Sequence, residues 1–474
     1  MIQDQDDEVL FAIAEELGQV WQLNNDKTIF LPLLESLAKS DETVVREQAT
    51  KSLTTICGAL EDDTLQNIFC PLIIRLAQAE WFTGRVSACS LFYYAYSRSN
   101  AQKERLRKKF MELCQEDTPM IRRVCAAKLG EFATQLEKQH VIQELLPIFR
   151  QLSQDDQDSC RVLCIESLIP MAGYLSKEEN RVHTLGSLLN AGEDKSWKVR
   201  LCFARNFAMF AESFGRDITD NNLIQTFNLL LNDNEPEVKN AAVTSLCKSL
   251  KNLSTEKICN IILPTLQSTV NDGQIQFKAG VGLALCEMAP LIGKNYCIST
   301  VMPILQELLK DDNSEVRLNV ASNMGKLAPV VGSELLTNTL LTILTTMTKD
   351  AQWRVRMAIF ELIAILSLEF GLEMFVNKLE GIYFTYLTNT AASVRNMGVT
   401  KSGELAESFG EEWVVSSLIP KVVDSYNVDQ QGFNYRMCAL ESLSVVMPVL
   451  NKSNVTEMIV PTLVKACGDR IPNV

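Results

Sequence analysis

The chain has 474 residues, of which 47% are hydrophobic and 22% charged, so it holds ample material for a core and is not disordered in composition. Its formal net charge of −13 argues against a nucleic-acid binder, which needs a basic face, but leaves room for basic protein partners. Residues 1–7 are acidic with no apolar h-region, and no run of about 18 apolar residues occurs. We therefore expect neither a signal peptide nor a membrane span.

The titratable side chains offer no catalytic or metal-binding motif. None of the 14 Cys forms a CxxC pair, and most lie in apolar helical patterns, which predicts small buried thiols in a reducing compartment. Cys160 and Cys164 share a helix face, but no further ligand lies nearby. His140 and His183 have no Ser or Cys partner in a motif, and no phosphate-binding or zinc-protease motif is present. We expect no enzyme activity, no metal and no cofactor.

A repeat organises the chain. The stretch from Asp194 to Arg200 has a near twin from Asp350 to Arg356, and the two start 156 residues apart, which is four times 39. Steps of about 39 residues connect a basic column: Arg46, Arg85, Arg122, Arg161, Arg200, Lys239, Lys278, Arg317, Arg356, Arg395 and Arg436. An acidic column runs in parallel: Asp155, Asp194, Asp233, Asp272, Asp311 and Asp350. A fixed period of this length indicates a repeat array.

In chain order, the first predicted helix contains Leu10, Ile13 and Leu17, and no partner helix precedes it. Helix pairs then follow. The second helix of each pair carries apolar residues 3, 7 and 10 positions after the basic residue, which is one face of an α-helix. The first helix carries an interior Pro, which predicts a bend: Pro32, Pro71, Pro147, Pro264, Pro303, Pro420 and Pro461. The chain ends in a first helix around Pro461, so we expect a half repeat at each end and a fragment of a longer array.

Short connections separate these helices. Within a pair, polar turns such as residues 311–316 predict Asp, Asn or Ser caps on the second helix. Between pairs, Gly predicts helix C-terminal caps at Gly215, Gly293, Gly332, Gly371 and Gly410. Two helices in about 39 residues predict an all-α, curved and elongated α-solenoid. No linker breaks the register, so residues 1–474 are expected to form one continuous array of about eleven complete repeats.

Pro in the first helix, Asp in the turn and Val-Arg opening the second helix together resemble the HEAT repeat. The uniform 39-residue period narrows the resemblance to the scaffold (A) subunits of protein phosphatase 2A. The stretches that carry it include Thr43-Val-Val-Arg46, Asp117-Thr-Pro-Met-Ile-Arg-Arg123, Glu193-Asp-Lys-Ser-Trp-Lys-Val-Arg200 and Trp353-Arg-Val-Arg356. The resemblance runs over essentially the whole chain.

The resemblance implies a non-catalytic scaffold that binds its partners along the turns within each repeat. N-terminal turns would bind an exchangeable regulatory B subunit, through Asp41, Glu42, Trp81, Phe82, Pro119, Arg122, Arg123, Ser196, Trp197 and Lys198. C-terminal turns would bind the phosphatase catalytic subunit, through Trp353, Arg354, Asn389, Ala392, Ser393, Asn434 and Tyr435. The family has a large aromatic residue where this chain has Ala392, and the turn 428–434 is two residues longer than the period. The resemblance also implies a cytoplasmic location, with a nuclear one open.

Several interpretations remain open. Trp197 and Trp353 lie in polar turns, where interface contact is favoured over packing. Trp21 and Trp413 are expected to be packing residues. The Asp and Arg columns are expected to join adjacent turns by hydrogen bonds rather than to form a charged binding groove. Arg123 lies outside the column and is therefore the better candidate for a partner contact. For function, the alternatives are a structural or adaptor protein of another large assembly and a nuclear transport receptor.

Overall fold

The computed structural model describes residues 6–23, 29–271, 274–428 and 432–471, and only the backbone of residues 22 and 333–339. Two compact units divide the chain, Met1–Ser254 and Thr255–Val474. Every regular element in the described residues is a helix, which confirms the all-α prediction. Eleven helix pairs occur in the described ranges, preceded by a single helix, Asp7–Val20, and followed by a single first helix at residues 452–466.

The second helix of each pair is long and largely uninterrupted. Its apolar columns are buried as predicted, for example Leu53 and Ile56 in one repeat and Phe207 and Phe210 in another, all 0% exposed. The second helices are Asp7–Val20, Thr43–Ala59, Phe82–Arg98, Pro119–Ala133, Asp158–Tyr174, Trp197–Phe214, Pro236–Ser249, Ile275–Tyr296, Ser314–Asn323 continued by Met324–Leu327 and Ala328–Val331, Trp353–Phe370, Ala392–Phe409 and Phe433–Val446. Short 3-10 segments extend some of them: Trp21–Leu23, Leu250–Asn252 and Met447–Val449.

The first helices are of two kinds. The first kind contains no π-helical turn. Three of these are single α-helices, Phe30–Leu37, Lys103–Cys114 and Ser333–Met347, and one consists of two α-helices, Lys177–His183 and Leu185–Gly192. The others contain a π-helical turn: Asp62–Thr64, Leu65–Phe69 and Cys70–Ala77; Lys138–His140, Val141–Leu145 and Leu146–Leu152; Arg216–Ile218, Thr219–Leu223 and Ile224–Leu230; Thr255–Lys257, Ile258–Ile262 and Leu263–Thr269; Cys297–Val301 and Met302–Leu308; Leu372–Met374, Phe375–Leu379, Glu380–Tyr383 and Phe384–Thr388; Glu411–Trp413, Val414–Leu418 and Ile419–Asn427; Lys452–Asn454, Val455–Ile459 and Val460–Ala466.

The π turn explains how the first helix continues through its Pro. In the first helix formed by residues 62–77, Pro71 follows the π turn Leu65–Phe69 by two residues, and the Cys70 N–H donates to the Leu65 carbonyl. A Pro in a regular helix clashes with the carbonyl four residues earlier, and the wider π turn relieves that clash. The π turn Thr219–Leu223 occurs without a Pro, so the wide turn belongs to the repeat rather than to Pro alone.

The predicted Gly caps are confirmed. Gly215, Gly293, Gly332, Gly371 and Gly410 have φ values of 81°, 78°, 87°, 84° and 84°. This left-handed region is open to Gly and costly for other residues, so each Gly ends one repeat and lets the chain turn into the next.

The predicted side-chain caps at the turns are mostly wrong. Among the described second helices, only Asp6 and Asn313 accept a hydrogen bond from the first turn of their helix. Each described Asp of the acidic column lies two residues before the N-cap of its helix, which is too early to cap it. Its carboxylate instead accepts the backbone N–H two residues later, as Asp194 does from Ser196 at 2.8 Å. Asp272, predicted in the same column, lies outside the described residues.

One segment of the described chain, residues 275–308, is long and apolar enough to cross a membrane by length and mean hydropathy alone. The sequence predicts no segment of this kind, yet this one meets the criteria of length and hydropathy. The segment is not one continuous helix, because Gly293 has non-helical φ and ψ angles. Its most apolar window is 56% buried, as in a core helix, which makes the segment weak evidence for a membrane span.

Candidate functional site

Successive turns within each unit are joined by the basic and acidic columns. Arg200 Nη1 donates to the carbonyls of Asp194 and Lys195 in its own turn, at 2.8 and 3.4 Å. Its Nε and Nη2 atoms donate to the two carboxylate oxygens of Asp233 in the next turn, at 2.7 and 2.9 Å. One guanidinium therefore orders its own turn and binds the following one, and charge assistance makes such paired bonds strong.

We call this series of contacts the ladder. Paired Arg–Asp bonds like those of Arg200 recur at Arg122–Asp155, Arg161–Asp194, Arg317–Asp350 and Arg436–Asp469, and Lys278 makes a single bond to Asp311. The prediction that the two columns tie adjacent turns together is confirmed. The alternative of an open charged groove fails at these steps, because the charges are paired within the chain.

The ladder shifts the ionisation of its carboxyl groups. Burial alone would raise the pKa of Asp233, but hydrogen bonds from Arg200 and from the Glu235 backbone N–H outweigh burial and lower it. The same balance lowers the pKa of Asp350, whose partners are Arg317 and the Gln352 N–H. The carboxylates of Asp233 and Asp350 are thus held ionised in the folded chain.

In the second unit the ladder lacks its carboxylate at two consecutive steps, those of Arg356 and Arg395, within the described residues. Asn389 occupies the position of the Asp, and Arg356 donates to its Oδ1 at 3.3 Å and to Thr390 Oγ1 at 3.5 Å. These contacts are longer than most of the paired Arg–Asp bonds and carry no opposite charge. One step later, the Arg395 guanidinium lies 5.2 Å from the centre of the Tyr435 ring, a cation–π distance.

We call the turns within repeats, together with the first turn of each second helix, the turn edge of each unit. On the turn edge of the first unit, Trp81 is 72% exposed, Phe82 41% and Trp197 37%. The other predicted residues here that are exposed are Asp41, Glu42, Pro119, Arg123 and Lys198. Arg122 is half-buried in the ladder, so Arg123 is the freer of the two.

Ser196 and Lys198, which flank Trp197, both contact the preceding turn. Ser196 Oγ donates to Asp158 Oδ2 at 2.9 Å, and Lys198 Nζ lies 4.0 Å from the same oxygen. These two predicted site residues therefore also fix the position of Trp197 on the turn edge.

On the turn edge of the second unit, Trp353 is 37% exposed, and the Arg354 guanidinium lies 5.4 Å from its ring centre. The predicted residues Ala392, Ser393 and Asn434 are exposed, whereas Asn389 and Tyr435 are half-buried. The structure therefore brings an exposed aromatic–cation pair to this edge and places Asn389 and Tyr435 in contacts with the ladder.

Other exposed apolar residues lie at the same place in the repeat and were not predicted. Val44 and Met120 are 57% and 46% exposed in the first unit, and Ile275 and Phe433 are 43% and 38% exposed in the second. Each lies two or three residues before the basic column, as Trp197 and Trp353 do. That column offset is the signal that would have found them.

The remaining residues of interest are structural. Trp21 and Trp413 are 1% and 3% exposed, which confirms them as packing residues. Twelve of the 14 Cys are buried, and burial raises the pKa of the Cys57 thiol to about 12. His140 contacts Glu144 at 2.8 Å, and His183 contacts Arg150. In the described residues, no three His, Cys, Asp or Glu side chains group as metal ligands would.

The stacked helix pairs with their turn edges define a class of protein, the HEAT-repeat α-solenoid. Solved structures of this class resemble the chain. Kap121p matches with a TM-score of 0.69 over 98% of this chain and 50% of its own, at 14% identity. Importin β matches with a TM-score of 0.59 over 97% of this chain and 64% of its own, also at 14% identity. At this identity the match establishes the fold alone.

The sequence relatives confirm the resemblance to scaffold subunits of protein phosphatase 2A. The A-type regulatory subunit of protein phosphatase PP2A from Schizosaccharomyces pombe is 39% identical over 218 residues, 45% of this chain and 37% of the relative. The beta isoform of the 65 kDa regulatory (A) subunit from Homo sapiens is 48% identical over 136 residues, 28% of this chain and 23% of the relative. These alignments thus span well under half of the relatives' length. Residues 293–390 also match a family model described as PIK3R4-like, middle domain.

Proposed function

We propose that the chain is a non-catalytic scaffold of a protein phosphatase 2A-type holoenzyme. In this proposal the turn edge of the first unit binds a regulatory B subunit, and that of the second unit binds the phosphatase catalytic subunit. We also propose a cytoplasmic location, with the nucleus as a second one. The names of the sequence relatives support the scaffold role.

The observation that carries the proposal is the exposure of Trp197 and Trp353 on the turn edge, where neither Trp side chain takes part in the ladder. Arg200 and Asp194 are occupied by ladder bonds around Trp197, and Asp350 is bound by Arg317 beside Trp353. Neither Trp is required by the repeat, since most repeats lack it. A half-exposed Trp beside Lys198 or Arg354 has the composition of an interface hot spot.

Co-purification tests the proposal. The full chain is immobilised and offered purified protein phosphatase 2A catalytic subunit, and then a regulatory B subunit. Trp353→Ala should weaken catalytic-subunit binding by about 30-fold, since truncating a hot-spot residue costs about 2 kcal/mol. Trp197→Ala should weaken regulatory-subunit binding by a similar factor. Arg123→Glu should weaken it as well, with little change in melting temperature.

Each variant has a matched control on its own helix. Met209 is 49% exposed in Trp197–Phe214, and Ile365 is 40% exposed in Trp353–Phe370, both away from the turn edge. Met209→Ala and Ile365→Ala should bind as the unchanged chain does. Failure of the catalytic subunit to bind the unchanged chain would refute the proposal and favour a structural or adaptor role in another assembly. Equal binding by each Trp variant and its control would refute the site assignment.

A further inference from the structure

The break in the ladder at Arg356 leaves a positive charge without its usual partner. At the paired Arg–Asp steps an Asp neutralises the guanidinium, whereas Asn389 supplies only an amide oxygen. That oxygen is also shared, because it accepts the backbone N–H of Ala391 at 3.1 Å. Arg356 Nε and Nη2 are therefore only loosely bound, while Nη1 remains fixed to the Asp350 carbonyl at 2.5 Å.

The unpaired guanidinium faces an open groove of about 350 Å³ between two neighbouring turns of the second unit. The groove is lined by Thr348, Lys349, Arg356, Thr385, Thr388, Asn389 and Thr390. Two of these residues are cationic and none is acidic, in a chain whose net charge is −13. Lys349 is exposed and has no ion-pair partner in the described ranges.

Several donors in this groove are unused. The Asn389 amide nitrogen has no acceptor among the described residues, and the Thr390 hydroxyl accepts from Arg356 without donating to any described atom. Together with Arg356 Nη2 and Lys349 Nζ, they provide two charged and two neutral donors around one space. Thr385 and Thr388 hydroxyls donate to backbone carbonyls instead, so they line the groove without adding donors.

We propose that this groove binds a phosphoserine or phosphothreonine side chain of a partner polypeptide. A phosphate monoester carries a charge between about −1.5 and −2 at neutral pH and three acceptor oxygens, which matches two cations and four donors. A carboxylate would match the guanidinium fork but would leave Lys349 and half of the donors unused. The groove opens on the same turn edge as Trp353, and Arg356 lies about one helical turn after Trp353 in the same helix. The bound segment would therefore continue along that edge. This inference does not require the phosphatase assembly.

The neighbouring groove, one ladder step earlier, provides the comparison. It is lined by Lys310, which corresponds to Lys349, and by Lys349 itself, which borders both grooves, but also by Asp311, Asp312 and Asp350. There the Arg317 guanidinium is neutralised by Asp350. Repulsion by these three carboxylates should exclude a phosphate from that groove although two Lys line it.

Fluorescence polarisation with three labelled pentapeptides tests the proposal on the full chain. The peptides are identical except for a central phosphoserine, Ser or Glu, and inorganic phosphate is added as a competitor. The phosphoserine peptide should bind at least about tenfold tighter than the Ser and Glu peptides, the difference expected for added charge-assisted bonds. Equal binding of the Glu peptide, or inorganic phosphate displacing the peptide at equal concentration, would overturn the assignment to a phosphorylated polypeptide.

Asn389→Asp is the decisive variant because it restores the ladder carboxylate and neutralises Arg356 without changing the shape of the side chain. It should abolish phosphopeptide binding while raising the melting temperature of the chain. Lys349→Gln should weaken binding about tenfold, whereas the matched control Lys310→Gln should not change it. Retained binding in Asn389→Asp, or equal losses in the two Lys variants, would overturn the proposal.

Discussion

The ladder predicts a measurable loss of stability when one carboxylate is removed from it. Asp233→Asn keeps the size of the side chain and the bond from the Glu235 N–H, but it deletes the charge that pairs with Arg200. The side chains of Arg200 and Asp233 are 18% and 6% exposed, so the pair lies between a surface ion pair and a fully buried one. Surface pairs contribute below about 1 kcal/mol, and breaking a buried pair costs about 3–5 kcal/mol.

We expect the variant to lose about 2 kcal/mol, because Arg200 keeps its Nη1 bonds to its own turn and its charge is still partly solvated. The assay is urea unfolding of the full chain, followed by far-UV circular dichroism. Glu104→Gln is the matched control, since it removes a carboxylate from the pair Lys108–Glu104, whose side chains are 67% and 69% exposed. Glu104→Gln should leave the unfolding midpoint unchanged.

The pH dependence provides a second check on the same variant. The pKa of Asp233 is lower in the folded chain than in the unfolded one, so its stabilisation is fully present above the unfolded value of about 4. That stabilisation is lost as the pH falls through the folded pKa, when the carboxyl group takes up a proton. The difference between the unchanged chain and Asp233→Asn should therefore shrink below about pH 4. Equal midpoints at pH 7, or a difference that persists unchanged down to pH 3, would refute the reasoning.

Two further predictions follow from the packing. Gly398→Ala should destabilise the chain by about 2 kcal/mol or more, because an added Cβ would lie 2.2 Å from the buried Tyr386 ring. Urea unfolding measures this loss. An unchanged midpoint would show that the ring can move aside. A thiol reagent at pH 8 should label the exposed Cys467 long before the buried cysteines, because burial raises the pKa of Cys57 and Cys202 to about 12. Peptide masses identify the labelled residue. Early labelling of Cys57 would contradict its burial.

The helix pairs and their buried faces could be predicted because both follow from the period. Apolar residues recur 3, 7 and 10 positions after each basic residue of the 39-residue column. Residues at these offsets share one face of an α-helix, so that face must be the buried one. The Gly connections were predictable for a similar reason, since a Gly after the last apolar residue indicates a left-handed cap. Both signals are local in sequence, and the structure confirms them at Leu53 and Gly215.

The hydrogen bonds of the turns and first helices were less predictable because they depend on exact backbone geometry. The turn composition predicts Asp, Asn or Ser caps, yet Asp194 lies two residues before the N-cap of its helix and accepts from the Ser196 N–H instead. The Pro column predicts a bend, whereas the structure shows a π turn that also occurs without Pro at Thr219–Leu223. Sequence patterns identify the residue that disturbs a helix but not the hydrogen-bonding pattern that absorbs the disturbance.

Structural and binding residues of the turn edge can be told apart by asking whether the donors of each Arg guanidinium are already used within the chain. Arg200 uses Nη1 on its own turn and Nε and Nη2 on Asp233, so its bonding capacity is largely taken up within the chain. A complete step therefore leaves partner binding to residues outside the columns, such as Trp197. The step at Arg356 reverses this assignment in our proposal, because no carboxylate neutralises the guanidinium and its Nε and Nη2 atoms make only long bonds to Asn389 and Thr390. A binding residue in such an array is either one that the period does not require or one whose partner the period fails to supply.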